Sequence, residues 1–340
     1  MCEYCNLDYS EEPLSLLQHI IQISRVHFYK PIQIAEILFR ARTTPEQINL
    51  NDHEYIRTES KRWRDVISQR LVGNVSTSNS RYQDDLLIRA IPPQSLIELA
   101  ECNNNHNGAI ELHIYNAMIE KWSSMTQILQ YIQNSSIHTF SVTHLTSLFT
   151  VEAGLRRSID KMYEIVTHTI LSFLIEHVIG GRVQINLGQV PGDFDNLTDV
   201  MFSESQTDMR LNRVGVANAA DRGIDIISNF GPIIQVKHLD LTEELVIEIC
   251  AGLPNSQVVI VGRNIETEVV SSIDENRPNN LLGIYSLSDI NQWYETVRDS
   301  IEISNSQKEQ LMDILHDSMI AEFPHLGQMG LFCTERGYDI

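Results

Sequence analysis

Residues 218–239, NAADRGIDIISNFGPIIQVKHL, constrain this chain more than any other stretch. Two short apolar runs, 223–227 and 232–237, flank the turn-forming Asn229-Phe230-Gly231-Pro232. Gly supplies unusual backbone angles and Pro fixes φ, so the spacing predicts a β-hairpin. Strand side chains alternate faces, which puts Ile234 and Val236 on one side and Gln235 and Lys237 on the other. The first strand carries one carboxylate, Asp225, among apolar neighbours. A carboxylate, an amide and an ammonium within one apolar hairpin are costly to bury unless they serve each other or a metal.

An acidic residue on one strand followed by acidic-X-Lys on the next resembles the PD-(D/E)XK nuclease core. Ile224-Asp225 stands at the Pro-Asp position and Gln235-Val236-Lys237 at the Glu-X-Lys position. Gln235 departs from that pattern by offering a neutral oxygen. A Gln-X-Lys form preceded by Gly-Ile-Asp, similar to Gly223-Ile224-Asp225, also occurs in the Mrr-like branch of the superfamily. Over nearly the whole chain, however, the sequence resembles the HaeII-type type II restriction endonucleases. The resemblance lies in VHFYKPIQIAEILFR (26–40), VSTSNSRYQDDL (75–86), EAGLRRSIDKMYEIV (152–166), NRVGVANAADRGIDI (212–226) and the terminal ERGYDI.

The resemblance implies an α/β fold with a PD-(D/E)XK restriction-endonuclease-like core, a mixed sheet flanked by helices, and a largely helical N-terminal region. The element pattern agrees. Apolar spacing predicts helices over 13–42, with Pro31 restarting the second as its first residue, then over 55–71, 109–132 and 143–150. A long helix over 152–179 ends at Gly180-Gly181. A strand over 182–187, an irregular insertion over 188–217, the hairpin, a helix over 241–253 and a strand over 256–262 follow. A strand over 281–286, a helix from Ser288 with its cap at the Asp289 turn, and a helix over 306–321 complete the layer. The expected division is 1–150 for DNA recognition and dimer contacts, and 151–340 for catalysis.

Phosphodiester hydrolysis needs a metal to polarise the phosphate and acidify water, and Mg²⁺ prefers oxygen ligands. Asp225 is the expected anchoring ligand, the Val236 carbonyl a second, and Gln235 a third through its amide oxygen or a held water. Lys237 is expected to orient the attacking water or neutralise charge at phosphorus. Because Gln235 is neutral, a further carboxylate is expected from the preceding helix. Glu164 is the main candidate, with Glu152 behind it. At 100° per residue Glu164 lies opposite the Leu155/Ile159/Met162/Val166 stripe, on a face that either lines a cleft or meets water.

The chain carries a net charge of −20, which disfavours a uniformly DNA-binding surface. The field that matters is local, and a basic cleft suffices. The densest basic stretch is 57–70, with Arg57, Lys61, Arg62, Arg64 and Arg70 against Glu59 and Asp65. Lys61, Arg62 and Arg64 are therefore candidate DNA contacts. Residues 73–83 form either a plain surface loop or a DNA-facing one, in which Asn79 and Arg81 reach bases or phosphates. Arg222, beside the motif, is a candidate phosphate contact or a partner for an acid.

The five cysteines are odd in number and scattered, which suits a reducing compartment, and Cys2-x-x-Cys5 lacks the further ligands of a zinc site. No secretory signal or membrane span is evident, so a cytoplasmic location is expected. The resemblance implies Mg²⁺-dependent cleavage of double-stranded DNA at a palindrome with a GCGC-like centre by a homodimer, with a cognate methyltransferase in the same system but not in stable complex. The competing readings are an Mrr-like nuclease that recognises modified DNA, and an inactive DNA-binding protein on the same fold.

Overall fold

The computed structural model describes residues 11–24, 28–73, 86–151, 155–184, 206–214, 224–275, 277–323 and 329–338. The N-terminal half is helical: α1 (Glu11–Ile23), α2 (Tyr29–Thr43), α3 (His53–Val72), α4 (Leu86–Arg89), α5 (Pro93–Asn105), α6 (Ala109–Asn134) and α7 (Val142–Val151). Pro31 is the third residue of α2, not the first, because the chain turns at Phe28 with φ 53° and the helix starts at Tyr29. The first-turn N–H groups have no intrahelical partner, so Pro is tolerated anywhere in that turn. The corner holds because the Phe28 ring is fully buried beneath the Lys121 ammonium, 4.6 Å from its centroid. Asp52 caps α3 by accepting from the Tyr55 N–H at 3.0 Å, and Gly73 ends it with φ 77°.

The second half builds on α8 (Ile159–Leu174), which a π-helical turn extends over Ile175–Ile179. Together these are long and apolar enough to cross a membrane by length and composition. Here the stretch is the central helix of the half, with Met162, Ile165, Val166 and Phe173 in the core. The strands β1 (Arg182–Gln184), β2 (Gln206–Asp208), β3 (Leu211–Arg213), β4 (Ile226–Ser228), β5 (Ile233–Val236), β6 (Val258–Gly262) and β7 (Leu281–Ser286) follow. The helices α9 (Glu243–Gly252), α10 (Thr267–Glu275), α11 (Leu287–Asp299), α12 (Asn305–Glu322) and α13 (Met329–Glu335) complete the described elements.

One expectation about the sheet is corrected. Of the strand expected over 182–187, the described part, β1 (Arg182–Gln184), does not enter the core sheet and pairs antiparallel with β2 in a separate ribbon. Arg182 and Gln184 are exposed and Val183 is only half-buried, so this strand has no fully buried side chain to add to the core. The place is taken by β3, from a stretch expected to be irregular. Leu211 is buried there, and the Asn229 side chain anchors the approach to β3 by accepting from Arg210 N and donating to Asp208 O, both at 2.8 Å. The core sheet runs β3-β4-β5-β6-β7, antiparallel through β5 and parallel beyond.

The expected hairpin is β4–β5, with Ile226 opposite Ile234 and Ile227 opposite Ile233. Ile226, Ile234, Val236 and Val261 join the main core with α8, whereas Ile233, Val258 and Ile260 join a second core under α9 and α10. Each fully buried Ile or Val contributes about 1.5–3 kcal/mol. Helix α10 was not expected. Helix α11 starts one residue early because its cap is Ser286, with Asp289 closing a reciprocal capping box.

The main core runs without a break from Leu17 to Cys333, across residue 150. Cys102, Cys250 and Cys333 are buried free thiols; Cys2 and Cys5 lie outside the described residues. A buried polar network ties the chain's end to its beginning. Glu111, fully buried, accepts from Arg42 Nη2 at 2.5 Å, from Asn103 Nδ2 at 3.2 Å and from the Tyr338 hydroxyl. Glu36 pairs with Arg40 at 2.6 Å and with Arg336 at 3.0 Å. Gly108, at φ 87°, leaves room for Tyr338, whose hydroxyl a Cβ would strike. An Arg42→Met variant strands part of the Glu111 charge in the core. It is expected to lose about 3 kcal/mol of stability, read as a lower urea midpoint at unchanged slope.

Candidate active site

The turn between β4 and β5 brings Asp225 against the strand that carries Gln235 and Lys237. Asp225 lies immediately before β4, and its Oδ2 accepts from the Val236 N–H at 2.7 Å. The Lys237 ammonium lies 3.6 Å from the same oxygen. Gln235 is 3% exposed within β5, between the hairpin and β6. Helix α8 packs over this hairpin and adds Glu164, which is 5% exposed and lies close enough for the Asp225 charge to act on it. Glu164 therefore faces inward and does not meet water. Glu152 lies outside the described residues.

Burial dominates the electrostatics. It pushes the Glu164 carboxyl up to about 7 against the pull of Lys161, with the Asp225 and Glu322 charges adding to the rise. Burial also raises Asp225 above its usual range, opposed by the Lys237 ammonium and the Val236 N–H. Two carboxylates short of water and held by ammonium groups are a donor set for a hard cation. With the Gln235 amide oxygen and the Val236 carbonyl, the residues present fit a Mg²⁺-like ion. Among the described residues no three of His, Cys, Asp and Glu converge, so this fit rests on amide and backbone oxygens as well as carboxylates.

Two residues near this site, Lys161 and Arg213, carried no candidate role in the sequence reading. Lys161 donates to Glu164 Oε2 at 2.6 Å. Arg213 on β3 pairs with the buried Glu322 of α12 at 3.1 Å. The only signal for Lys161 and Arg213 was their position inside stretches 152–166 and 212–226. His238, next to Lys237, contacts Asp160 through Nδ1.

A family model described as HaeII restriction endonuclease matches residues 14–338. The chain belongs to that family. It is 40% identical over 292 residues to "Type II restriction enzyme HaeII" from Haemophilus aegyptius, covering 82% of each chain. It is 37% identical over 340 residues to "Type II restriction enzyme NgoBI" from Neisseria gonorrhoeae, covering 95% of each. No solved structure matches the chain. The HaeII-family assignment carries the enzyme class, a type II restriction endonuclease, and the mixed sheet with helical N-terminal region is consistent with a restriction-endonuclease-like fold.

The residues expected at DNA fare differently. Arg64 is fully buried, bonds Asp65 at 2.6 Å and lies over the Tyr29 ring, so it offers no surface to DNA. Arg62 is exposed and paired with Glu59, and Lys61 is half-buried on α3. Asn79, Arg81 and Arg222 lie outside the described residues.

The Glu164 shift has a signed consequence. The folded carboxyl keeps its proton to about pH 7, while an ordinary one loses it near 4.5. Between those values the native state binds more protons, so this group's stabilisation is complete below the lower value and is lost as pH rises to the upper one. In EDTA, the wild-type urea midpoint is expected to carry a falling contribution from pH 5 to 7.5. Glu164→Gln is expected to remove that pH dependence, read as a urea midpoint that no longer falls across this range.

Proposed function

We propose that this chain is a Mg²⁺-dependent type II restriction endonuclease that hydrolyses double-stranded DNA at a palindromic site with a GCGC-like centre, as a homodimer acting in the cytoplasm. The observation that carries the reading is the convergence of Asp225, Lys237 and the Val236 peptide at the hairpin, with Glu164 brought in by α8. Asp225, Glu164, the Gln235 amide and the Val236 carbonyl are the residues that would hold the ion. The chemistry a bound Mg²⁺ supplies is polarisation of the scissile phosphate and a more acidic water.

The chain's own groups do the rest. Lys237, held near Asp225, orients the attacking water or neutralises charge growing at phosphorus. The Val236 N–H fixes Asp225 before DNA arrives, so little reorganisation is left for the reaction. Residues 1–150 supply recognition and dimer contacts in this reading, with Lys61 and Arg62 on α3 and Asn79 and Arg81 as candidate contacts; Arg222, beside the motif, adds a further one from the second half. A palindrome suits a two-fold dimer, in which each protomer reads one half-site and cuts one strand. A cognate methyltransferase in the same system, acting separately, would protect the host's own sites.

Unmethylated plasmid incubated with Mg²⁺ and the wild-type protein is expected to give discrete fragments whose ends map to one GCGC-centred palindrome. EDTA should abolish them. Asp225→Ala and Lys237→Ala should each lower the cleavage rate at least about a hundredfold while duplex binding persists. Cleavage only of modified DNA would favour the modification-dependent reading. Binding by the wild type without cleavage would favour the inactive one.

A further inference from the structure

Lys161 is the largely buried cation of the site that the nuclease motif does not include. It lies one helical turn before Glu164 on α8 and donates to Oε2 at 2.6 Å, with both side chains mostly withdrawn from solvent. A pair at this spacing on an open helix surface contributes only a few tenths of a kcal/mol. Burying an ammonium costs far more unless its charge is used. The charge also reaches past Glu164, since Lys161 lowers Asp225 as well. The motif has lost a carboxylate at Gln235, so two carboxylates, Asp225 and Glu164, face two ammonium groups, Lys237 and Lys161. Their formal charges cancel, whereas a dication is held most tightly by an excess of negative oxygen.

We propose that Lys161 is a positioning residue that competes with the divalent cation for the Glu164 carboxylate, so that cation binding requires Lys161 to let go of Oε2. This rests on the reading of the site as a metal-dependent nuclease centre. The competition gives Lys161 two effects. It keeps Glu164 aimed into the site, and it sets the cation concentration at which the site loads. Arginine at the same position grips a carboxylate with a two-pronged fork and releases it less readily. A neutral side chain does not compete at all.

The test is calorimetric titration of the protein, without DNA, with Mg²⁺ and separately with Ca²⁺. Lys161→Met is expected to bind each ion about tenfold more tightly than wild type, the scale of one removed charge interaction in a partly buried site. Lys161→Arg is expected to bind more weakly than wild type. The Mg²⁺ concentration for half-maximal cleavage should follow the same order. If the methionine variant does not fold, Lys161→Gln is neutral, polar and shorter, and takes its place in the series. A merely structural lysine would leave the affinities equal, or weaken them in both variants, and either result overturns the competition while leaving a metal-binding site. No binding by wild type or any variant would overturn the metal reading itself and the competition with it.

Discussion

The second half of the chain depends on holding two carboxylates, Asp225 and Glu164, where water is scarce. Ionised carboxylates in such a place must be met by donors or cations, or they take up protons. The Val236 N–H and the Lys237 ammonium meet Asp225, and Lys161 meets Glu164. The surrounding elements make those meetings possible. The β4–β5 turn sets Asp225 beside the end of β5, and α8 lies across the hairpin so that its Glu164 face points inward. The second core under α9 and α10 seals the other side of the sheet with Ile233, Val258 and Ile260.

In this acidic chain several cations sit against the buried carboxylates of the second half. Lys161, Lys237 and Arg213 all lie about the hairpin and α8, inside a molecule of net charge −20. Solvent and salt screen the distant acidic surface over about 8–10 Å, so the local charges govern the site. The helical half is bound to this centre by packing and not by a linker. Helix α12 packs on both α6 and α8, and the end of the chain returns to α2 and α6 through Arg336 and Tyr338. That return places Arg336 and Tyr338 against the helical half, far from them in sequence.

The helix starts and stops were legible where a local signal sets them, as at residue 109 for α6 and at Gly180 after the long helix. Where a competing local feature acted, the expectation slipped by a residue or two, as at Phe28 before α2 and at Ser286 before α11. The larger miss was the strand over 182–187. Alternation alone reports that a segment can be a strand, while its place in the sheet is chosen by which segment has an apolar side chain to bury against the core. Leu211 met that requirement and the Arg182–Gln184 segment did not.

The sequence by itself determined the hairpin, the positions of Asp225, Gln235 and Lys237 on it, and the family to which they belong. These are properties of neighbouring residues and of turn chemistry, readable without knowing what packs above them. Only the tertiary structure decided that Glu164 turns inward and Arg64 is buried against Asp65 and Tyr29. It also decided that Lys161 shares the Glu164 carboxylate. The rotation and contacts of a helix are set by the elements it packs against, and charge in a helix gains its meaning from which face those elements cover.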